Sequence, residues 1–399
     1  MPDFMRSAVL RRSSPERPYS ASMPLQLESI PVPEPRAGEV VVKIERASLC
    51  HSDLSVVNGS RHRPLPMALG HEASGTITKV GPGVIDVQKD DRVVVVFVPS
   101  CGQCRACVTG RPALCHRGAD ANGTGDLLHG EAVLRSRTGE RIHHHLGVSA
   151  FSEFAVVARE SVIVVGKDVP FDTAAMFGCA ALTGIGAVLN TAQLAPGQSI
   201  VIFGLGAVGL MAVMAAAQVE GTTVIAIDPL IEKQELAQRC GADFAGAPED
   251  AAALVREHAD GVDVALEAVG SAKVMESCLS LLTRGGALVS VGLPHPDQMI
   301  TTQALQFAGL GHRLLGSYMG DSVPARDIPR YLQMWREGRL PVELLHTDTR
   351  PLKEINEGLD ALADGQVVRR LFITGKPKLS PTSEGQVTEP AKSNTNRHQ

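Results

Sequence analysis

The sequence predicts an α/β protein that combines a β-rich domain with a second domain built on a doubly wound parallel sheet. Three observations carry this prediction. The chain has 399 residues, more than one ordinary core needs, and its 44% apolar residues suffice to bury two cores. Short valine and isoleucine runs crowd the first hundred residues, and strand-like and helical segments alternate from about Asp172 onward.

Residues 30 to 100 carry the pattern of a strand-dense region. Short β-branched runs lie between glycine and proline, as in GEVVVKI, SGTITKVGPGV and DRVVVVFVP. Such runs favour extended backbone, and the glycines and prolines between them mark turns. We therefore expect a β domain here.

The second region alternates strand-like and helical segments. SIVIFG precedes AVGLMAVMAAAQ, TTVIAID precedes IEKQELAQRCG, and VDVALEAVG precedes KVMESCLSLL, with GALVSVG after them. This alternation predicts a parallel sheet covered by helices on both faces. After about Pro324, ARDIPRYLQMWREG and VVRRLFIT are expected to return to the first domain.

These textures divide the chain into predicted domains. The first comprises residues 1–180 and 325–377, and the second comprises residues 181–324. Residues 378–399 are polar and too poor in apolar side chains to fold, so we expect a disordered tail.

Charge and hydropathy exclude several classes of function. The formal net charge of −5 and the lack of long basic runs give no electrostatic footprint for nucleic acid or an anionic membrane surface. The N-terminal residues contain no apolar stretch of the secretory type, so we expect a cytoplasmic protein. The apolar run Ile200–Ala217 imitates a membrane span, but its three glycines predict a strand, a tight turn and a buried helix instead.

Four of the eight cysteines lie within fifteen positions. Their spacing is C-x2-C-x2-C-x7-C, formed by Cys101, Cys104, Cys107 and Cys115. In a reducing compartment a metal site is favoured over disulfides. Four thiolates suit structural zinc, which leaves no open position for a substrate; an iron–sulfur cluster stays open as an alternative.

A second set of candidate ligands is dispersed along the chain. Cys50 begins CHSD, His71 lies in GHE, and Cys179 lies in GCAALTGIG. Each alone is more often a buried or satisfied side chain, but together they supply a Cys2His set with an open fourth position, as catalytic zinc requires. Asp53 is a candidate partner for the zinc-bound histidine, and Glu72 directly follows His71.

The segment GLGAVG predicts a dinucleotide site. Gly204, Gly206 and Gly209 fit G-x-G-x-x-G between a strand-like run and a helical one. Asp228 follows Gly204 by twenty-four residues, at the end of the next predicted strand. An acid there accepts hydrogen bonds from the adenosine ribose and disfavours an added phosphate, so the preferred cofactor is NAD.

Together these motifs resemble the zinc-dependent medium-chain alcohol dehydrogenases, in the dimeric-type branch that carries a lobe zinc. The resemblance runs from about Met5 to Gly375. It implies a GroES-like catalytic domain, a Rossmann domain that binds NAD, and a homodimer.

The resemblance also implies roles for individual residues. Catalytic zinc would be held by Cys50, His71 and Cys179, and structural zinc by Cys101, Cys104, Cys107 and Cys115. Ser52 would hydrogen-bond the zinc-bound alkoxide, Asp53 would support the zinc-bound histidine, Glu72 would assist ligand exchange, and Phe97 would line the substrate pocket. His51 and Arg369 would contact the cofactor pyrophosphate, Lys233 the adenosine ribose, and Thr183 and Val208 the nicotinamide.

Two positions depart from the family pattern, and a histidine tract and two further cysteines lie outside it. Ser55 occupies the place where many relatives carry a proton-relay histidine. Ala119 occupies the place of an arginine that the glutathione-dependent formaldehyde branch carries, although Arg117 is close by. We interpret the histidine tract at 143–145 as a polar loop, and Cys240 and Cys278 as buried apolar residues.

The resulting expectation is reversible oxidation of an alcohol to an aldehyde or ketone with NAD+, with primary and aromatic or allylic alcohols as the expected substrates. The partner is a small alcohol or aldehyde, with no nucleic acid and no membrane. Two alternatives stay open: a thiol-dependent formaldehyde dehydrogenase, and a non-catalytic NAD-binding scaffold protein.

Overall fold

The fold was obtained as a computed structural model, which describes residues 2–375. The predicted tail at 378–399 lies outside the described residues. No helix in the described part of the chain is long and apolar enough to traverse a bilayer.

The described residues form strands that we number in chain order. They are β1 (Phe4–Leu10), β2 (Leu25–Pro31), β3 (Glu39–Ser48), β4 (Met67–Ala68), β5 (Glu72–Val80), β6 (Arg92–Val95), β7 (His143–His144), β8 (Phe154–Ala158), β9 (Val162–Val164), β10 (Ser199–Phe203), β11 (Thr223–Ile227), β12 (Phe244–Gly246), β13 (Val262–Glu267), β14 (Leu282–Ser290), β15 (Arg313–Gly316), β16 (His346–Pro351) and β17 (Arg369–Ile373).

The α-helices are numbered in the same way. They are α1 (Tyr19–Ser22), α2 (His51–Val57), α3 (Arg105–Val108), α4 (His116–Thr124), α5 (Phe171–Ala175), α6 (Leu182–Gly186), α7 (Ala207–Ala216), α8 (Ile231–Arg239), α9 (Ala251–His258), α10 (Ala272–Ser280), α11 (Leu305–Gly309), α12 (Pro324–Arg336) and α13 (Ile355–Ala363). Two π-helical turns, Phe177–Ala181 and Ala187–Ala192, flank α6. Short 3-10 turns cover Pro112–Leu114, Arg159–Ser161, Pro248–Asp250, Met319–Asp321, Val342–Leu345 and Leu352–Glu354.

The strands form three sheets. A four-stranded sheet has the order β2-β1-β4-β7, and a larger sheet has the order β16-β17-β3-β5-β6-β9, with β8 paired to β3. The valine-rich strand β3 is buried on both faces over much of its length, which explains its continuous apolar run. These two sheets form the β-rich part that the first hundred residues predict.

The third sheet is parallel throughout and has the order β12-β11-β10-β13-β14-β15. The chain moves outward from β10 in both directions, so the strand order reverses there. In such doubly wound sheets the ligand binds where the order reverses, at the carboxyl ends of the strands. The loop after β10, which holds GLGAVG, lies at that place.

The apolar run Ile200–Ala217 is the strand, turn and helix that the glycines predict. It contributes most of β10, a turn, and α7, whose residues are buried nearly all round. A helix that is apolar on every side belongs in a protein core as readily as in a membrane. Here α7 packs against β10 and α6.

The C-terminal segment returns to the first β-rich sheet. Strand β17 pairs antiparallel with β3, through Leu371 with Ser48 and Phe372 with Ala47, and parallel with β16. Arg369 begins β17, so this return places it beside the end of β3. The domain borders given above stay predictions.

Candidate active site

Cys50 lies at the junction of β3 and α2, where the chain turns from strand into helix. Its backbone is extended, and its N–H donates to Asp53 Oδ2 at 3.1 Å, which closes a capping box at the start of α2. The cap fixes the direction of the Cys50 side chain. Asp53 therefore positions Cys50 through the backbone, in addition to its contact with His71.

His71 follows a glycine that the fold requires. Gly70 has φ +91°, and a Cβ there would lie 2.4 Å from the Phe151 amide nitrogen, so only glycine fits. His71 is buried, and its Nδ1 lies 3.1 Å from Asp53 Oδ1. Its Nε2 is also buried and has no hydrogen-bond partner within residues 2–375. A buried nitrogen without a partner is costly, and a metal ion would satisfy it.

Cys179 brings the third donor from a distant part of the chain. It lies in the π-helical turn Phe177–Ala181, a geometry found often at functional sites. The sulfurs of Cys50 and Cys179 and a ring nitrogen of His71 all lie within 4.8 Å of one another. We call these three residues the buried centre. Two sulfurs and one imidazole nitrogen suit zinc with an open fourth position.

The pKa values of the two thiols in the buried centre are shifted in opposite directions. A hydrogen bond from Cys179 and the positive charge of Arg369 hold the pKa of Cys50 well below its usual range. The same hydrogen bond, with burial, raises the pKa of Cys179 well above its usual range. Burial alone would lower the pKa of His71, but the Asp53 carboxylate raises it. Zinc binding at these donors would therefore release protons, because a metal binds thiolates and neutral imidazole.

Glu72 and Arg369 form a buried charge pair beside the centre. Glu72 Oε1 accepts from the Ala180 N–H at 2.9 Å, and Oε2 lies 3.3 Å from Arg369 Nη2. Arg369 Nη1 donates to the Leu49 carbonyl at 2.8 Å. Burial raises the pKa of Glu72, and Arg369 opposes that rise. Arg369 is only 3% exposed. Most arginines lie on the surface, so its burial is unusual.

The histidine tract at 143–145 corrects the polar-loop interpretation. His144 and His145 are buried, and His143 and His144 form β7, paired with β4. His145 Nδ1 lies 3.2 Å from Asp53 Oδ1, and its ring meets that of His71 edge-on at 5.3 Å. Asp53 therefore faces two imidazoles. The sequence offered only the repeated histidines as a signal, because their acidic partner is more than ninety residues away.

Ser52 and Phe97 also lie at the buried centre. The Cys50 sulfur is 3.9 Å from Ser52 Oγ. Phe97 meets the His71 ring edge-on at 5.6 Å and the Tyr318 ring at 6.1 Å. Sequence reasoning did not identify Tyr318, which reaches this site from the segment after β15. Ser55 donates to the His51 carbonyl at 2.8 Å, so its hydroxyl is engaged within α2.

The four clustered cysteines lie on a separate lobe, and we call them the lobe cluster. The Cys104 sulfur is 3.6 Å from that of Cys107 and 3.9 Å from that of Cys115. Zinc with Zn–S bonds of about 2.3 Å in a tetrahedron needs sulfurs about 3.8 Å apart. All four are free thiols. Four donors at this spacing fit a closed zinc site.

Backbone amides support the lobe cluster. The N–H groups of Cys101 and Gly118 donate to the Cys115 sulfur at 3.3 and 3.4 Å. Backbone N–H groups of Cys107 and His116 lower the pKa of Cys104 to about 6, whereas burial raises the pKa of Cys107 to about 12. These amides favour thiolates without any charged side chain.

An ion pair connects the lobe to the segment that carries Tyr318. Arg111 Nη2 lies 2.8 Å from Asp321 Oδ1, and Asp321 Oδ2 accepts from Thr191 Oγ1 at 3.0 Å. Asp321 is the last residue of the turn Met319–Asp321, which begins directly after Tyr318. The ion pair therefore joins the lobe to the turn next to Tyr318.

The glycines of GLGAVG have three different surroundings. Gly204 has φ +89°, and a Cβ there would meet Val269 Cγ2 at 2.8 Å. A Cβ on Gly209 would lie 1.9 Å from the Gly204 carbonyl, so glycine lets α7 approach β10. A Cβ on Gly206, at the start of α7, would meet open space. This space at a helix N-terminus suits a pyrophosphate.

The other predicted cofactor residues surround this loop. Asp228 Oδ2 accepts from the Leu205 N–H at 2.8 Å, and Oδ1 accepts from the Leu230 N–H at 3.1 Å. Desolvation and the positive charges of Arg369 and Lys233 lower the pKa of His51, so three basic groups share one region. Thr183 lies in α6 and Val208 in α7, and these two helices pack together.

Comparisons with known proteins decide the family. The model of the alcohol dehydrogenase GroES-like domain matches residues 36–167, and that of the zinc-binding dehydrogenase matches residues 207–337. The S-(hydroxymethyl)glutathione dehydrogenase of Synechocystis sp. is 34% identical over 361 residues, covering 89% of this chain and 97% of the relative. The enzyme of that name from Saccharomyces cerevisiae is 33% identical, covering 90% and 96%. The chain belongs to the zinc-dependent medium-chain alcohol dehydrogenase family.

Solved structures of alcohol dehydrogenases share the fold. An alcohol dehydrogenase zinc-binding domain protein from Burkholderia ambifaria has TM-score 0.87 and 32% identity, covering 94% of this chain and 99% of its own. Benzyl alcohol dehydrogenase from Acinetobacter calcoaceticus has TM-score 0.84 and 28% identity, covering 93% and 99%. Acetophenone reductase from Geotrichum candidum, solved with NAD, has TM-score 0.75 and 25% identity, covering 94% and 98%.

These matches confirm the predicted family and the fold of a GroES-like domain with a Rossmann domain. As a family member, the chain is an NAD-dependent zinc alcohol dehydrogenase whose cofactors are NAD and zinc. The donor sets of the buried centre and the lobe cluster fit catalytic and structural zinc. The non-catalytic scaffold is therefore not supported.

Proposed function

We propose that this alcohol dehydrogenase catalyses reversible hydride transfer between a primary alcohol, aromatic or allylic, and NAD+, giving the aldehyde. The observation that carries the proposal is the buried centre, where two sulfurs and an unpartnered imidazole nitrogen converge beside an aromatic wall. The likeness to benzyl alcohol dehydrogenase supports an aromatic substrate.

In this proposal Cys50, His71 and Cys179 hold the catalytic zinc and the lobe cluster holds the structural one. When bound, the catalytic zinc supplies a Lewis acid at the substrate hydroxyl, and NAD+ supplies the acceptor of two electrons. Asp53 holds the His71 ring by its Nδ1 and leaves Nε2 free for the metal. Glu72 stays close enough to assist ligand exchange and is held by Arg369.

Ser52 Oγ would accept the proton of the substrate hydroxyl, and NAD+, when bound, would supply a ribose hydroxyl as the next acceptor toward solvent. Its place 3.9 Å from the Cys50 sulfur supports this role. Ser55 does not continue the relay in this proposal, because it donates to the His51 carbonyl. Phe97 and Tyr318 exclude water and orient the carbinol carbon.

Gly204, Gly206 and Gly209 would carry the cofactor pyrophosphate at the start of α7, with His51 and Arg369 balancing its charge. Asp228 would accept from the ribose hydroxyls, with Lys233 beside them, and Thr183 and Val208 would pack on the nicotinamide. The open space at Gly206 and the shared region of His51, Lys233 and Arg369 support this placement.

The test is a panel of alcohols with the zinc-loaded protein and NAD+, following NADH formation, together with metal analysis. We expect two zinc ions per chain and turnover of benzyl and allyl alcohol in preference to ethanol. A protein with full zinc that oxidises no alcohol and reduces no aldehyde would contradict the proposal.

A second candidate is thiol-dependent formaldehyde oxidation, favoured by the names of the relatives from Synechocystis sp. and Saccharomyces cerevisiae. Ala119 argues against it, because that branch carries an arginine at this position. Formaldehyde oxidation measured with and without glutathione separates the two candidates. A rate that needs glutathione and exceeds every alcohol rate would replace the first proposal with the second.

The homodimer belongs to this proposal as well. Strand β15 pairs only with β14 within residues 2–375, so its other edge is open, and Leu314 on it is 40% exposed. An open edge strand is a template for pairing with a second copy. Light scattering coupled to size-exclusion chromatography should give twice the mass of the chain, and a monomer mass would exclude the dimer.

A further inference from the structure

A basic loop follows α2 beside the buried centre. Residues 60–64 read Ser-Arg-His-Arg-Pro and contain three basic side chains in succession, Arg61, His62 and Arg63. We call this segment the basic loop. It begins only ten residues after Cys50, in a chain whose overall charge is negative.

Arg63 is joined to the pocket wall by hydrogen bonds. Its Nη1 donates to the Asn122 carbonyl at 3.4 Å, and Asn122 Nδ2 donates to the Phe97 carbonyl at 2.8 Å. Phe97 in turn faces His71 and Tyr318. A single residue, Asn122, thus connects the Arg63 guanidinium to the aromatic wall of the buried centre.

The positive charge of the loop reaches the site. Burial raises the pKa of Tyr318, while the charges of Arg63 and Arg61 lower it and the Cys179 thiol raises it. One phenol therefore lies in the fields of both the basic loop and the buried centre, in agreement with the hydrogen bonds that join Arg63 through Asn122 to Phe97.

Arg63 has no anion of its own in the described part of the chain. The ionisable groups that act on it are Arg61 and Tyr318, with no carboxylate among them, and Arg61 repels it. Its Nε is buried and has no hydrogen-bond partner among residues 2–375. A partly desolvated cation without a counter-charge costs free energy, so proteins rarely retain one unless a ligand supplies the anion.

We propose that Arg63, reinforced by Arg61, binds a carboxylate of the substrate, so that the enzyme prefers alcohols that carry this group away from the carbinol. The planar guanidinium offers paired N–H donors that match a carboxylate. This inference rests on the proposed function. The carboxylate could come from an aromatic hydroxy acid or from a glutathione adduct, and the chemistry recognised is the same.

The first experiment compares two substrates of one shape. We expect kcat/KM for 4-(hydroxymethyl)benzoate to exceed that for benzyl alcohol by about 10- to 100-fold, the range of a charge-assisted hydrogen bond. Arg63→Met should remove that preference and leave benzyl alcohol within about threefold. The comparison of the two substrates uses the wild-type protein, so it tests the inference even if Arg63→Met does not fold.

Arg256→Gln is the matched control. Arg256 is an exposed arginine of α9, beside the parallel sheet, and its replacement changes net charge by the same amount. It should leave both substrates unchanged. Equal kcat/KM values for the two substrates, or an equal loss of both in Arg63→Met, would overturn the inference.

Binding without NAD+ separates this inference from the proposed function. Isothermal titration of the same two alcohols into the zinc-loaded protein should show tighter binding of the carboxylate, lost in Arg63→Met. A protein that turns over neither alcohol contradicts the proposed function, and the titration then decides the inference alone. Equal affinities in that titration would overturn it.

A third arm identifies the source of the carboxylate. Formaldehyde oxidation is measured with glutathione and with its monoethyl ester, in which one carboxylate is blocked. Sensitivity of this rate to the ester and to Arg63→Met assigns a glutathione adduct. An effect confined to 4-(hydroxymethyl)benzoate assigns a hydroxy acid, and an effect on neither overturns the inference.

Discussion

The lobe cluster and the buried centre use the same element, sulfur, in opposite ways. The lobe draws three half-buried cysteines and one buried cysteine from fifteen consecutive positions and supports them with backbone amides. The centre draws three buried donors from positions 50, 71 and 179 and surrounds them with Asp53, Glu72, Arg369 and His145. A closed site needs only local geometry, whereas an open reactive site needs an enclosing framework of charged groups.

The largest expected effect tests the buried centre. Cys179→Ser should lower kcat/KM for alcohols by about 1000-fold or more, because the metal loses a thiolate that sets its position. NAD binding, measured by fluorescence titration, should stay near normal, and one zinc per chain should be lost.

Cys240→Ser is the control, since Cys240 is also buried but belongs to neither site. A Cys179→Ser protein that keeps most of its activity would remove the distinction between the two sites.

The second prediction tests the lobe cluster. Cys104→Ser should lower the free energy of unfolding by about 4 kcal/mol or more, because the metal can no longer close the lobe. Residual folded protein should retain more activity than Cys179→Ser. Thermal denaturation with metal analysis measures both effects, and a lobe variant that is fully stable but inactive would reverse the roles assigned to the two sites.

The third prediction concerns the framework of the centre. Asp53→Asn should reduce activity about 10- to 100-fold, because the carboxylate holds His71, faces His145 and accepts from the Cys50 N–H. Asp86→Asn, on an exposed carboxylate paired with Arg159, should have no effect on kcat. Equal rates for both variants would show that the framework is dispensable.

The fourth prediction is a pH dependence of stability at His144. Burial lowers the pKa of His144 to about 3, and the charge of Arg36 acts in the same direction while Asp126 opposes it. The unfolded chain therefore takes up a proton first, so this contribution to stability is present above about pH 6.5 and is lost as the pH falls.

The expected slope is up to about 1.4 kcal/mol per pH unit between about pH 6 and 4. Urea unfolding of the wild type and of His144→Asn over this range measures it. The difference between the two proteins should shrink as the pH falls. A constant difference would mean that His144 is charged when folded.

The smallest expected effect links the two sites. Arg111→Gln breaks the partly exposed pair with Asp321, so the free energy of unfolding should change by less than about 1 kcal/mol. KM for alcohols should rise about twofold, since Asp321 follows the pocket residue Tyr318 by three positions. Arg105→Gln, on an exposed arginine of the same lobe, is the control. Identical KM values in both variants would show that the lobe does not influence the pocket.

Sequence reasoning predicted the features that are formed by residues close together in the chain. The spacing of Cys101–Cys115 indicates a metal cluster because its donors are neighbours in the chain, and GLGAVG indicates a dinucleotide turn because its neighbours are a strand and a helix. The alternation after Asp172 likewise predicts the parallel sheet.

What depends on the tertiary fold was not accessible from residues alone. Cys50, His71 and Cys179 can be grouped as a Cys2His set from their chemistry, but only the family resemblance selects them as ligands, and that assignment stays a prediction. His145, Tyr318 and the burial of Arg369 result from packing between segments far apart in the chain. No spacing rule encodes such contacts, so the interpretation of the histidine tract as a polar loop was wrong.

The single carboxylate of Asp53 makes three contacts, with the Cys50 N–H and with the imidazoles of His71 and His145. Substitutions at positions 53 and 145 should therefore be strongly epistatic, each tolerable only in a background that accommodates the other. Directed evolution that alters this framework would then have to change both codons together. Either single substitution leaves a buried polar group at the other position without its partner.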